Sequence, residues 1–407
     1  MKKFAKMSLV AALAVAGTAA SAQPLAEAIK NVDVSGTVVY RYNDYNFEND
    51  AKSNNGGNSL RLTNATDNRD NSTNNYKIGL TAKAKVNDDV TAVTRFLVTN
   101  HAGGSFTTLD YANNGGDGQV DVVLNQVYFS YTGIANTTVN VGKQGLTTPW
   151  TVAIDADSNE QTGTGILALT NVGPVTLAGA YFNQTNLYAA DANVITVGAM
   201  ANVGPVALDA WYLDYQDEFD TYTVGAAANF DLDAVKLSLG ARHTSIDLDK
   251  SQTLFNTVDA DKNDHELTKV EAGLKAGIFG ANVGYGWTDK EGGVAALDAD
   301  AKTGFQGWNL NLNGVADADL LKTSVSAQVL PSLKLSLNYN VLDTDIDNGS
   351  DTKDTELYLQ ADYKMSKNFG GYIRFGQAEF EDDYTDEDGD VEDNKGTVGR
   401  IQVQYSF

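Results

Sequence analysis

Cysteine is absent from the 407 residues, so neither a disulfide framework nor a thiolate metal centre is available. Proline is scarce, at 5 residues, which leaves long stretches of backbone free to pair. Basic residues are few: Lys plus Arg is 29 against 53 for Asp plus Glu, a net charge of −24. That sign argues against a nucleic-acid partner, because a surface that neutralises phosphates has the opposite charge. Beyond the first two dozen residues no run approaches the ~18 apolar positions a membrane helix needs. Catalytic patterns are missing too. No G-x-S-x-G elbow and no phosphate-cradling loop occurs. The three histidines, His101, His243 and His265, are far apart without ligand spacing and are expected as exposed or loop residues.

What is present points to strands. Glycine numbers 38, tyrosine 19 and phenylalanine 15, a profile of many turns and aromatic strand faces. At the start, Lys2, Lys3 and Lys6 precede an apolar run of small residues from Ser8 to Ala20, and Ala20-Ser21-Ala22 satisfies the small-x-small rule. This reads as a secretory signal peptide, 1–22, with 23–407 as the exported domain. From residue 31 onward the dominant signal is alternation. Tyr76, Ile78, Leu80, Ala82 and Ala84 alternate with Lys77, Thr81, Lys83 and Lys85. Leu333, Leu335, Leu337, Tyr339 and Val341 alternate with Lys334, Ser336, Asn338 and Asn340. Each segment has one apolar and one polar face.

Connections fall into two kinds that alternate along the chain. Short ones lie at 87–89, 133–136, 173–174, 204–205, 231–234, 279–280, 331–332 and 367–368. Long ones, rich in Asn, Asp and Gly, lie at 43–74, 101–120, 146–164, 187–192, 216–220, 247–265, 290–319, 345–354 and 381–395. Such wiring predicts an all-β fold: an 18-stranded antiparallel transmembrane β-barrel with short periplasmic turns and long extracellular loops. The count keeps 303–312, which alternates like a strand, inside a long loop; 16 strands is the alternative, and 19 would break the even-number rule. Asn171-Val172-Gly173-Pro174-Val175 recurs as Asn202-Val203-Gly204-Pro205-Val206, an echo of one hairpin unit.

The last strand alternates Ile401, Val403, Tyr405 and Phe407 with polar residues, similar to the terminal recognition signal of outer-membrane barrels. Asn31-Val32-Asp33-Val34-Ser35-Gly36, Gly142-Lys143-Gln144 running to Trp150, and Gly304-Phe305-Gln306-Gly307-Trp308-Asn309 resemble the Campylobacter-type major outer membrane protein porins. So does Tyr363-Lys364-Met365-Ser366-Lys367-Asn368-Phe369. The resemblance spans most of the chain after residue 22, best at its two ends and least in the loops. It implies an 18-stranded homotrimeric porin of the bacterial outer membrane, with calcium in the pore.

Candidate site residues follow from parity. Charge on the lipid face costs about 2–4 kcal/mol at mid-membrane, so Arg41, Lys77, Arg95, Lys143, Arg242 and Arg374 are expected in the lumen. Loop 146–164, with Asp155, Asp157 and Glu160, is the candidate constriction that faces them; the alternative is an ordinary outer loop. Acids and bases across a narrow pore set up a field that orients dipolar solutes. Asp343, Asp345 and Asp347 carry carboxylates at alternate positions and form a candidate calcium site. Asp386, Asp388, Asp390 and Glu392 make a denser acidic loop that divalent cations could bridge to lipopolysaccharide. A plain solvated anionic surface gives the same pattern in both.

The sequence therefore implies a passive channel for ions and small hydrophilic solutes, favouring cations, without a required cofactor and without enzymatic chemistry. Expected partners are two further copies of the chain, outer-membrane lipid and lipopolysaccharide, and the permeating solutes and cations. An adhesin barrel using its long loops and a secreted β-sandwich lectin are the competing readings.

Overall fold

The computed structural model describes residues 32–47, 70–99, 106–108, 121–187, 192–249, 263–345, 351–385 and 391–407. The segment 1–22 and the acids Asp347, Asp386, Asp388 and Asp390 lie outside them, as does His101. One sheet holds nineteen strands, β1 (Val32–Phe47) to β19 (Val391–Ser406) in chain order, every pair antiparallel. β4 (Thr107–Thr108) is only two residues long and pairs with β2 (Asp70–Lys85) where β3 (Val90–Thr99) has ended, so it resumes the line of β3. The wall therefore has eighteen staves.

β1 closes the ring by pairing with β19, from Thr37↔Ser406 to Phe47↔Gly396. Phe407 extends that closure: its N–H donates to the Gly36 carbonyl at 3.0 Å, and its carbonyl accepts from Gly36 at 2.9 Å. A closed ring has no free edge, and in lipid that satisfies every ladder N–H and C=O. Turn chemistry fixes the hairpins at one end. Gly173 and Gly204 take φ of 61° and 59°, and Pro174 and Pro205 follow where a fixed negative φ is needed and no ladder N–H is lost. One predicted turn moves: Phe279 already pairs with Ala276, and the turn is Gly277-Ile278, because Gly277 supplies the positive φ of 58°.

At the other end the strands run further than their composition suggests. β1 reaches Phe47, β18 (Phe369–Thr385) and β19 together enclose all but 386–390, and the polar residues there keep the ladder because the neighbouring strand is present to pair with. Segment 303–312 stays out of the wall, with a single bridge, Gln306↔Asn311, as its only ladder contact among the described residues.

Parity follows the ring. Leu357, Leu359, Ile373, Phe375 and Ile401 are exposed on the outer face, while Tyr358, Ala378 and Val398 are buried inside. Two apolar clusters line the inner wall towards the loop end. One gathers Phe182, Leu213, Tyr215, Phe219 and Ile246 around Leu146 and Trp150. The other gathers Phe47, Leu320, Leu342 and Phe380 around Phe305, Leu310 and Leu312. In each, wall residues pack against a loop that has folded into the barrel.

The exposed outer face predicts its own sensitivity. Leu359→Arg should lower the folded fraction, at about 2–4 kcal/mol where the position is deep in lipid. Ser324→Arg, which enters the lumen, should not. Heat-modifiable gel migration measures both, and equal losses would show the facing to be wrong.

Candidate constriction site

Two loops enter the lumen. The first joins β6 (Thr137–Gly145) to β7 (Thr162–Val172) and is the predicted constriction loop; the second joins β14 (Phe279–Thr288) to β15 (Ala318–Leu330). A loop that leaves water must satisfy its polar groups, and each does so through one buried glutamate.

Glu160 anchors the first loop and is 0 % exposed. Its carboxylate accepts from Arg95 Nε at 2.7 Å and Nη2 at 2.5 Å, and from Asn125 Nδ2 at 2.8 Å. Lys77 Nζ stands 3.6 Å away and donates to the carbonyls of Asp155 and Ser158, at 2.5 and 2.6 Å. Arg41 pairs with Asp157, and Gln402 Nε2 donates to the same carboxylate at 3.1 Å. Thus β1, β2, β3 and β19 together hold the loop against one side of the wall.

Glu356 on β17 (Thr352–Lys364) anchors the second loop from the opposite direction. It accepts from the backbone N–H of Trp308 and Asn309, at 2.7 and 2.6 Å, and from Asn340 Nδ2 at 2.6 Å. His265, buried on β13 (Asp264–Ala276), accepts from the Val294 N–H at 3.2 Å. His243 also lies on a strand, on the outer face, with Thr268 Oγ1 at 2.7 Å; neither is the exposed loop histidine expected. His265 owes its place to a strand that extends into the predicted loop 247–265, whereas His243 lies well within the strand Val235–Leu248.

The loops then meet. The Leu297 N–H donates to the Trp150 carbonyl at 2.9 Å, the Thr303 N–H to the Pro149 carbonyl at 3.1 Å, and Gln161 Nε2 to Asp298 at 2.6 Å. At this junction Asp155, Asp298 and Asp300 bring one carboxylate oxygen each within 4.8 Å of one another. Asp155 is 7 % exposed, and one of its oxygens, Oδ2, is buried without a hydrogen-bond partner. Burial pushes the Asp155 carboxyl up to about 6, reinforced by Asp300 and Asp298 against the N–H bond from Asp157. Asp300 is raised as well, by burial and then by Asp157. Beside the second loop's tip lies a cavity of 540 Å³ lined by Glu271, Asn282, Lys322, Asn338 and Asn340.

The loop 146–164 lies against the inner wall, and its acids divide. Glu160 is a buried anchor and presents no charge to the lumen, because two bases claim it. Asp157 is half exposed yet paired, and Asp155 belongs to a cluster whose other members come from 290–319. Arg41, Lys77 and Arg95 serve as loop anchors, and Arg242 pairs with Asp209 at 2.7 Å on the far wall. Arg374 is inside. Lys143 is not: it lies opposite the exposed Val127 on the outer face and donates to the Leu124 carbonyl at 3.3 Å. Near a membrane interface a charge costs about 0–1 kcal/mol, so the rule that put it inside loses force there. Among the predicted calcium ligands, Asp343 faces Lys353 Nζ at 3.5 Å, and the described residues gather no third acid around it and Asp345. Asp298, Asp300, Glu356 and Trp308 were missed. Their signal was the apolar content of 303–312, which is out of place in an exposed loop.

Residues 1–185 match the Campylobacter major outer membrane protein family. No curated protein sequence matches the chain. Among solved structures, OccAB3 of Acinetobacter baumannii is similar with a TM-score of 0.66 and 13% identity, covering 93% of this chain and 99% of that one. The outer membrane protein OpdK of Pseudomonas aeruginosa gives 0.66 and 13%, covering 92% and 98%. A BenF-like porin of Pseudomonas fluorescens Pf-5 gives 0.66 and 14%, covering 93% and 99%.

The anchoring scheme has a direct consequence. Glu160→Ala leaves Arg95 and Lys77 buried without a counter-charge, a change that costs about 3–5 kcal/mol. It should expose Trp150 to chymotrypsin in the folded barrel, whereas Asp157→Asn, at a half-exposed pair, should not. Equal cleavage of both variants would contradict the assignment of Glu160 as the anchor. With a closed eighteen-stranded wall and two anchored inward loops, the chain has the fold of outer-membrane β-barrel porins, and its first 185 residues match the Campylobacter major outer membrane protein family.

Proposed function

We propose that the barrel is a passive, cation-selective diffusion channel whose narrowest point is the junction of the two inward loops. The observation that carries this reading is the Asp155–Asp298–Asp300 cluster at that junction. Carboxylates beside a narrow path act on permeating ions over the ~10 Å screening length of 0.1 M salt. Passive diffusion needs no catalytic group, and none is assigned.

Calcium fits the same cluster. Carboxylate oxygens are its natural ligands at about 2.3–2.6 Å, so one ion spans oxygens roughly 4.8 Å apart, and Asp155 Oδ2 is a buried acceptor without a donor. Bound there, calcium would neutralise the junction and lock one loop to the other. Lipopolysaccharide is the proposed partner of the outer rim, where Asp214, Asp220, Asp247 and Asp264 stand directly opposite one another across β10 (Val206–Tyr215) to β13. Like charges so placed repel unless cations intervene. A homotrimer is proposed from the family resemblance, and the small outward residues Ala199, Ala210, Ala226 and Ala241 supply a surface that permits close approach.

Reversal potential across a salt gradient tests the junction. Neutralising Asp155, Asp298 and Asp300 to Asn should cut cation preference, more strongly at low salt. Neutralising Asp214, Asp220 and Asp247 should change it less. Equal shifts would remove the junction from the ion path.

Acidity adds a second prediction, made in monovalent salt with chelator present. Asp155 is charged above about pH 6 and takes up a proton below it. Cation preference should therefore fall as pH is lowered through that value, and Asp155→Asn should flatten the dependence. A wild-type profile flat between pH 5 and 7 would contradict the assignment.

A further inference from the structure

The inner wall from β11 (Phe219–Leu232) to β17 carries a row of uncharged side chains. Asn229, Ser238, Asn282, Ser324, Asn338 and Tyr358 are successive cross-strand partners there, with Gly273 between the second and the third. The row crosses β12 (Val235–Leu248), β13, β14, β15 and β16 (Leu333–Thr344). All six side chains also line the 540 Å³ cavity beside the second loop's tip. A second cavity, of 370 Å³, shares Asn229, Ser238 and Asn282 with it and continues towards Asp231 and Lys236.

We propose that this row is a binding site for uncharged polyhydroxylated solutes of monosaccharide size. The inference takes from the channel reading only that solutes reach the inner wall. An amide or a hydroxyl side chain both donates and accepts, as does each hydroxyl of a sugar, whereas an ion uses one polarity only. Neighbouring strands stand about 4.8 Å apart, so consecutive members of the row can serve different hydroxyls of one ring. Little of that capacity is used internally. Asn282 Nδ2 donates to Ser324 Oγ at 3.1 Å, and among the described residues the side chains of Asn229 and Ser238 bond no other protein group.

Charge is kept to the margins of the row. On its loop side stand one acid and one base, Glu271 and Lys322, with Lys322 Nζ 4.5 Å from the Phe305 ring centre. On its turn side Asp231 is paired with Lys236 at 2.8 Å, and Lys275 stands on the next strand. The cleft itself depends on a glycine. A Cβ on Gly273 would lie 2.4 Å from Ser238 Oγ and 2.6 Å from Asn282 Oδ1, so both polar ends converge over the glycine. Gln306, at the loop tip, lines the cavity from the loop side and is held by its Nε2, which donates to Asp300 at 3.0 Å. Glu356 fixes the same loop through the Trp308 N–H. Tyr358 ends the row with an aromatic ring against which sugar C–H groups can pack. The cavity falls within the roughly 300–1,000 Å³ of small-molecule sites, and a site fixed in advance loses little freedom on binding.

Ligand-observed NMR titration of D-glucose into the full chain, in micelles of a detergent without a sugar headgroup, tests this. The comparators are 1,6-hexanediol, glucuronate and glucosamine, and heat-modifiable migration checks the folding of each variant. Glucose should bind at least fivefold more tightly than 1,6-hexanediol, which has as many carbons but only two hydroxyls. It should bind no less tightly than either charged sugar. N282L and N338L, each removing hydrogen-bonding capacity from the row, should weaken glucose binding about threefold or more. G273A, which fills the cleft, should do the same, while S130A, on β5 (Asp121–Ile134) and outside the row, should leave binding unchanged. Wild-type affinity in N282L or N338L, an equal loss in S130A, hexanediol binding as tightly as glucose, or either charged sugar binding more tightly would overturn the proposal. If G273A does not fold, the two leucine variants and the ranking of solutes decide. Glucose binding by a barrel that does not conduct would sink the channel reading and leave the site standing; conduction without glucose binding would do the reverse.

Discussion

A ring of eighteen strands solves the backbone problem of the membrane and creates another inside. Every ladder group is satisfied without an edge, but the enclosed space is too wide for wall side chains to fill. Narrowing that space then depends on chain brought in from the rim, and that chain carries polar backbone away from bulk water. The structure meets this constraint with two buried glutamates of opposite polarity of use. Glu160 rides on its loop and is received by wall bases. Glu356 stands on the wall and receives loop N–H groups. Remove either carboxylate and several donors lose their acceptor at once, so each loop's position depends on a single side chain more than on its own propensities.

The eighteen staves were legible because one property, period-two alternation, decides strand and facing together. Leu357, Leu359, Ile373 and Ile401 point outward as their parity requires. Parity says less about what happens inside. Thr81 faces the lumen, yet it is buried, with its hydroxyl 2.9 Å from Arg95 Nη1, because the first loop lies over it. Lys143 shows the limit from the other side. The rule that keeps charge out of lipid weakens near the interface, and there the pairing register decides. In 303–312 the sequence pattern was strand-like for a different reason: Phe305, Leu310 and Leu312 needed an apolar partner, and found it on the inner wall.

The candidate site was only half visible because it is made by two loops far apart in sequence. Asp155 could be singled out from its own loop, whereas Asp298 and Asp300 lie in another, more than a hundred residues away. Nothing local distinguishes acids that meet across a lumen from acids that are merely solvated. What brings them together is the apolar packing of Trp150 and Val294 in a common cluster, which positions the polar groups as a consequence. The Asp155 carboxyl, raised to about 6, marks the cost of that placement.

Charge inside the barrel is accordingly partitioned by element. Carboxylates with unmet coordination come from the loops, at the junction. Guanidiniums with no carboxylate within ion-pair distance among the described residues, those of Arg374 and Arg400, come from adjacent strands, β18 and β19. Arg41 lies between the two, paired with Asp157 on the loop and two register positions from Arg400 on the wall. Because strands are held by ladders and loops by glutamate anchors, neither set can move far to neutralise the other. A barrel whose loops were free to relax would collapse these opposite charges into ion pairs and lose its field. Rigid anchoring of the loops is therefore the physical condition for keeping opposite charges apart inside the barrel, and the buried Glu160 and Glu356 maintain that separation without presenting their own charge to the lumen.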